Sequence, residues 1–195
     1  MPREHDRGPL RPALVRTARE LIAERGLDAF SVAEIARRCG VSSGAPYRHF
    51  ASQRDLLAEV ALSAVAELHQ QVTDAAGQHI DLADKLAAAA GAYTDHMIST
   101  RAGLHVIYNQ QLRATDYTGL HTAGRALMDE YLGLSLAVSR SAEDALLLME
   151  QLLSQAHGYA AFYLDGLLPM QGYRQEQVVA KSVSAARTSI AGAAR

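Results

Sequence analysis

The 195-residue sequence has a single cysteine, only two lysines, few aromatics and no long hydrophobic run, and each scarcity narrows what the chain can be. One thiol, Cys39, cannot close an intramolecular disulfide and fits a reducing compartment. Without 18 uninterrupted apolar residues there is no membrane-spanning helix, so no membrane partner is expected. Residues Met1 to Arg11 carry Arg, Asp and Pro with no apolar stretch behind them, which is not the pattern of a secretory leader. These absences predict a soluble, cytoplasmic protein. Prolines stand only at 2, 9, 12, 46 and 169, and neither strand-type alternation nor an Asn-Gly hairpin turn is present. The fold class expected is therefore all-α. No Ser-His-Asp constellation, nucleophile elbow or glycine-rich phosphate loop occurs, so the chain is not read as an enzyme and no cofactor is expected. The histidines lack His-x-x-x-His spacing and Cys39 belongs to a packing stripe, which argues against a metal site.

What is present is unevenly distributed. Nearly half the residues are apolar, enough for a substantial core. Residues 1–54 hold ten arginines and six acids, a net charge of +4, while the remainder carries −6. A basic end on an acidic body suits a chain that meets a polyanion at that end.

Helix signals give the organisation. The first helix opens near Pro12, buries Leu14, Ala18, Leu21 and Ile22, and closes at Gly26. Ser31 and Glu34 form a capping box for a short second helix whose inner stripe is Val32, Ile35, Ala36 and Cys39, and Gly40 stops it. A third helix is expected at once, capped by Ser42 or Ser43 with Pro46 in its first turn. The fourth runs from about Ser52 to Ala75, followed by helices near 82–99, 102–113, 117–138, 142–166 and 173–192. The division expected is a head over residues 10–55 and a larger helical body over 56–195.

Two short helices joined by Cys39-Gly40-Val41-Ser42 have the dimensions of a helix-turn-helix. Gly40 permits the turn, Val41 plugs the crevice, and the following helix projects Ser43, Gly44, Ala45, Tyr47, Arg48 and His49 outward. Small residues at its start let it enter a major groove, where Arg48 either reads guanine or clamps a phosphate.

The stretch from Phe30 to Phe50, with Asp55-Leu56-Leu57 after it, resembles the N-terminal domain of TetR-family regulators over about residues 11–60. The resemblance implies a three-helix DNA-binding head whose contacts come from Ser31, Ser42, Ser43, Gly44, Ala45, Tyr47, Arg48 and His49. It also implies a phosphate contact at position 53, where the family usually has Lys and this chain has Gln53. That grip is expected to be weaker and less salt-sensitive. Gln155-Ala-His157-Gly158 is similar to the Trp-His-Gly signature of one TetR subgroup, with Ala156 in place of the Trp.

As family expectations, a small-molecule pocket in the body would draw on Tyr93, Met97, His105, Tyr108, Tyr131, Met149 and Phe162. A homodimer would form through the last two long helices, with Ala145, Leu148, Leu152, Ala156, Val179, Val183 and Ala186 as the seam. The function expected is a sequence-specific transcriptional regulator, a repressor of a near-palindromic double-stranded operator released by an effector. The alternative is a helical ligand-binding or interaction protein that has lost operator binding.

Overall fold

In a computed structural model, residues 10–101, 106–107, 112 and 117–193 are described, and they form helices and turns without a strand. The chain divides into two compact units, Met1–Ala64 with Ala102–Leu120 and Val65–Arg101 with His121–Arg195.

In the first unit α1 spans Leu10–Arg25 and buries Leu14, Ala18, Leu21 and Ile22, the stripe its 3.6-residue period dictates. Pro12 lies in its first turn, where the missing N–H has no intrahelical partner to lose. Gly26 follows with φ 80°, and a 3₁₀ turn, Leu27–Ala29, leads to α2, Val32–Arg38. Ser31 caps α2 by accepting the Glu34 N–H at 3.5 Å.

The end of α2 explains the glycine there. The Val41 N–H reaches back to the Ala36 carbonyl at 3.0 Å and the Gly40 N–H to Arg37 at 3.1 Å, with Gly40 at φ 68°. This pairing needs a left-handed residue between the two donors, a conformation that a Cβ disfavours. Cys39 is half-buried, and its thiol donates to Thr17 Oγ1 at 3.3 Å, tying α2 to α1.

The helix α3, Gln53–Gly77, starts in the first unit, capped by Ser52, and ends in the second. The second unit continues with α4, Leu82–Thr100, α5, Thr118–Leu136, α6, Ala142–Leu164, a short turn α7, Leu167–Met170, and α8, Gln175–Ala193; the first residues of α5, Thr118–Leu120, belong to the first unit. The helix expected near 102–113 lies outside the described residues apart from Val106, Ile107 and Leu112.

Three of these helices, α4, α6 and α8, pack on one another through small side chains. A Cβ on Gly91 would stand 2.5 Å from Val183 Cγ2, so α4 and α8 approach closely because position 91 has no side chain. Thr94 Oγ1 lies 2.8 Å from Ser182 Oγ and 3.3 Å from the Ala156 carbonyl, so one buried hydroxyl joins all three helices. The Tyr131 hydroxyl donates to the Ala89 carbonyl at 2.7 Å and fixes α5 to α4.

This packing corrects one expectation. Ala145, Leu148, Leu152, Ala156 and Ala186 are already buried within the single chain and cannot form a seam with a second copy. Val179 and Val183 are half-buried, and Val183 is the side chain facing Gly91. The inward stripe of α6 is consumed by α4 and α8, and it is the opposite stripe that stays open.

Candidate nucleic-acid interface

The segment after Gly40 folds differently from the helix expected there. It makes a tight turn at Ser42–Ala45 and then one 3₁₀ turn, Pro46–Arg48, with no side-chain cap. Its backbone bonds are few: Ala45 N–H to Ser42, Arg48 N–H to Ala45, and the His49 and Phe50 N–H groups both to Pro46. Pro46 has no N–H to extend the ladder and Gly44 disfavours helix, so the turn stays short. Phe50 is buried at its end, anchoring the exit of the turn in the core.

Burial sorts the expected contact residues. Ser42, Ser43, Gly44, Tyr47, Arg48 and His49 are exposed, Tyr47 at 54 %. Ala45, expected to project outward, is only 8 % exposed and belongs to the floor of the turn together with Pro46. In a turn this tight, side chains at 45 and 46 face inward while those at 43, 47 and 48 face out. Ser31 is half-buried and its hydroxyl oxygen is engaged in capping α2.

The electrostatics around the turn separate two kinds of arginine. Glu34 takes both Arg37, at 2.7 and 2.9 Å, and Arg38, at 3.0 Å, and Arg38 also reaches Glu24 at 2.8 Å. The hydrogen bonds from Arg37 and Arg38 hold the Glu34 carboxyl down at about 2, and the Arg38 bond lowers Glu24 as well. Two of the head's positive charges are thus compensated. By contrast Arg48 has no ion-pair partner among the described residues, and no acidic residue occurs between Cys39 and Arg54. In the exposed turn positive charge is left uncompensated.

Gln53 is the first residue of α3, and its Nε2 donates to the Phe30 carbonyl at 3.1 Å. Its side chain ties the start of α3 to the residue ahead of α2. Beside it, Ser52 and Asp55 cap each other, and the Tyr117 hydroxyl donates to Asp55 Oδ1 at 3.2 Å.

Sequence reasoning missed Arg11. Its guanidinium donates to the His49 carbonyl and to Glu59 Oε2, both at 2.9 Å, and stands 4.6 Å over the Phe50 ring. Nothing in the local sequence marks it, because its partners lie 38 to 48 residues away.

The described residues among those expected to line an effector pocket differ in burial. Tyr93, Met97 and Tyr131 are buried, Met149 is half-buried and Phe162 is 52 % exposed. His105 and Tyr108 lie outside the described residues. Tyr93 and His157 are joined at 2.9 Å from hydroxyl to Nδ1, and burial pushes the His157 imidazole below its ordinary value. A surface groove of about 430 Å³ in the second unit is lined by Gln71, Asp74, Gln78, Asp95, Val179 and Val183 among others, and by none of the expected seven.

Against known proteins, residues 14–60 match the model of bacterial regulatory proteins of the tetR family. The segment that carries the turn is thus similar to tetR-family regulatory proteins. Over nearly its whole length the chain shares the fold of several solved structures. A protein of unknown function from Rhodococcus sp. RHA1 is 26 % identical with a TM-score of 0.80, each chain covered over its full length. A TetR-family transcriptional regulator from Streptomyces coelicolor is 18 % identical, with a TM-score of 0.73 over 95 % of this chain and 96 % of that one. A TetR variant from Acinetobacter baumannii in complex with minocycline is 20 % identical, with a TM-score of 0.64 over 92 % and 93 %. No curated protein matches the sequence significantly. Among the described residues no helix is long and apolar enough to cross a membrane, and no cluster of three metal-ligating side chains is found.

Proposed function

We propose that this chain binds a near-palindromic DNA operator as a homodimer and acts as a TetR-family transcriptional repressor released by a small molecule. The observation that carries the reading is the exposed turn Ser42–His49, where Tyr47, Arg48 and His49 share one surface free of acidic neighbours in sequence. Small residues at 42–44 let that surface sink into a major groove, and Arg48 supplies either a bidentate guanine contact or a phosphate clamp.

The dimer is assigned to the outward stripe of α6. Leu147, Gln151, Ser154 and Phe162 are exposed at helical spacing, and Gly158 between them has open space beside it. Small residues flanked by exposed apolar ones suit the approach of a partner helix. The solved relative that holds minocycline supports an effector site in the body of this chain. The effector would act by binding one head spacing better than the other and so shifting the population away from the operator-fitting state.

Binding of the full-length chain to DNA of its own upstream region, measured across salt, tests the reading. Affinity should fall steeply as salt rises. Arg48→Ala should weaken specific binding by about 1–3 kcal/mol, roughly 5- to 150-fold, while the melting temperature stays put because the side chain is exposed. Unchanged affinity in that variant would remove the recognition assignment.

A further inference from the structure

The recognition turn is too short to hold itself. It has four internal backbone bonds, no side-chain cap and a proline in place of one donor. The chain leaves it at Phe50, out of helical geometry, so the His49 carbonyl has no helical N–H ahead to accept. The Arg11 guanidinium supplies that donor.

We propose that Arg11 is the positioning residue of the recognition turn: one planar guanidinium locks the His49 carbonyl, the Glu59 carboxylate and the Phe50 ring into a single arrangement. This rests on the DNA-binding reading above and adds to it the residue that orients the reading surface. All three grips lie within the first unit. Glu59 orients the guanidinium and compensates its charge, while Phe50 offers it a flat face. Two N–H donors at fixed angle and a stacking plane are properties of arginine, and lysine, a point charge on a flexible stem, supplies neither. Arg11 therefore acts through Tyr47, Arg48 and His49 rather than on DNA. Its charge is already matched, unlike that of Arg48.

The experiment uses the full-length chain and duplexes that the wild-type chain selects from a random DNA pool. Arg11→Ala and Arg11→Lys should each lower affinity for the selected duplex about tenfold and narrow the gap between selected and unrelated DNA. The slope of log affinity against log salt should not change. A phosphate contact would behave otherwise, with Lys retaining affinity and Ala reducing the slope by about one. Glu59→Gln should weaken selected binding a few-fold under the proposal, whereas a phosphate-binding Arg11 would be freed and bind more tightly. Either phosphate pattern overturns it.

A second measurement separates this proposal from the DNA reading. Amide hydrogen exchange on the free protein should quicken at Arg48, His49 and Phe50 by about tenfold in both Arg11 variants, with Leu148 unchanged. Unchanged exchange at 48–50 overturns the positioning role whatever the DNA result. Failure of the wild-type chain to select any duplex, with exchange at 48–50 still quickened, would sink the operator reading and leave Arg11 as the brace of the turn.

Discussion

The recognition turn and the α4–α8 pairing are held by opposite means. The turn is a few residues of backbone with sparse internal bonding, kept in place by long side chains reaching carbonyls from elsewhere: Arg11 to His49 and, at the neighbouring junction, Gln53 to Phe30. The α4–α8 pairing keeps its long side chains to the rim, Arg187 on Asp84 and Gln175 on Asp95 and Ser99, and its centre is packed without them. Its helices touch because Gly91, Ala87, Ala90 and Ser182 are small and buried, and a shared hydroxyl, Thr94, closes the contact. A surface that must present its side chains to a partner cannot also bury them. Its shape is therefore set by residues outside it, whereas a packed pair of helices is set by the residues in the contact.

If that contrast holds, the largest effect on stability belongs to the packed pair. Gly91→Ala gains about 1 kcal/mol of helix propensity. Against this, overpacking a tight core costs about 1–3 kcal/mol, and Val183 is a stiff β-branched neighbour. The net expected is a loss, larger for Gly91→Val, with Val183→Ala restoring much of it in a double-mutant cycle followed by urea unfolding. A Gly91→Val chain as stable as wild type would show that the close approach is not needed.

A smaller effect is expected from the head. Gln53→Ala removes one side-chain bond to the Phe30 carbonyl, worth about 0.5–1.5 kcal/mol. Its signature should be faster amide exchange at the start of α2 and α3, with the salt slope of DNA binding unchanged. Weaker DNA binding with exchange at α2 and α3 unchanged would instead place Gln53 on phosphate, the contact the family position implies.

The smallest effect is a pH dependence in the second unit. Burial keeps the His157 imidazole neutral to a lower pH than in the unfolded chain, where it titrates near 6.5. As pH falls below that value the unfolded state takes up the proton first, so stability is present above 6.5 and is lost toward the depressed folded value. Melting temperatures between pH 7.5 and 5.5 should fall less in His157→Asn than in wild type. An equal fall in both would show that His157 contributes nothing to the acid side.

Reading the sequence found the parts of the head that local chemistry determines. The α1 stripe from Leu14 to Ile22, the Ser31 cap, the Gly40 turn and the buried Phe50 all follow from spacing, side-chain acceptors and the steric freedom of glycine within a few residues. The same local rules overextended the recognition helix, because one proline and one glycine outweigh the helical neighbours around them. They also turned Ala45 outward, since a full helix and a single 3₁₀ turn distribute the same residues over different faces.

Long-range pairing was out of reach. Periodicity shows that Ala145, Leu148, Leu152 and Ala156 form a stripe but not whether that stripe meets α4 and α8 or a second chain. Even the local pairing of the Glu34 carboxylate with Arg37 and Arg38, three and four residues on, was passed over, because the capping-box spacing gave Glu34 to Ser31.

The sequence by itself thus determined the all-helical class, the helix-turn-helix segment and the acid-free run from Cys39 to Arg54, because each depends on residues a few positions apart. Tertiary structure decided which stripe of α6 stays open and how the recognition turn is braced by Arg11. Those outcomes rest on partners tens of residues away, which no local pattern encodes.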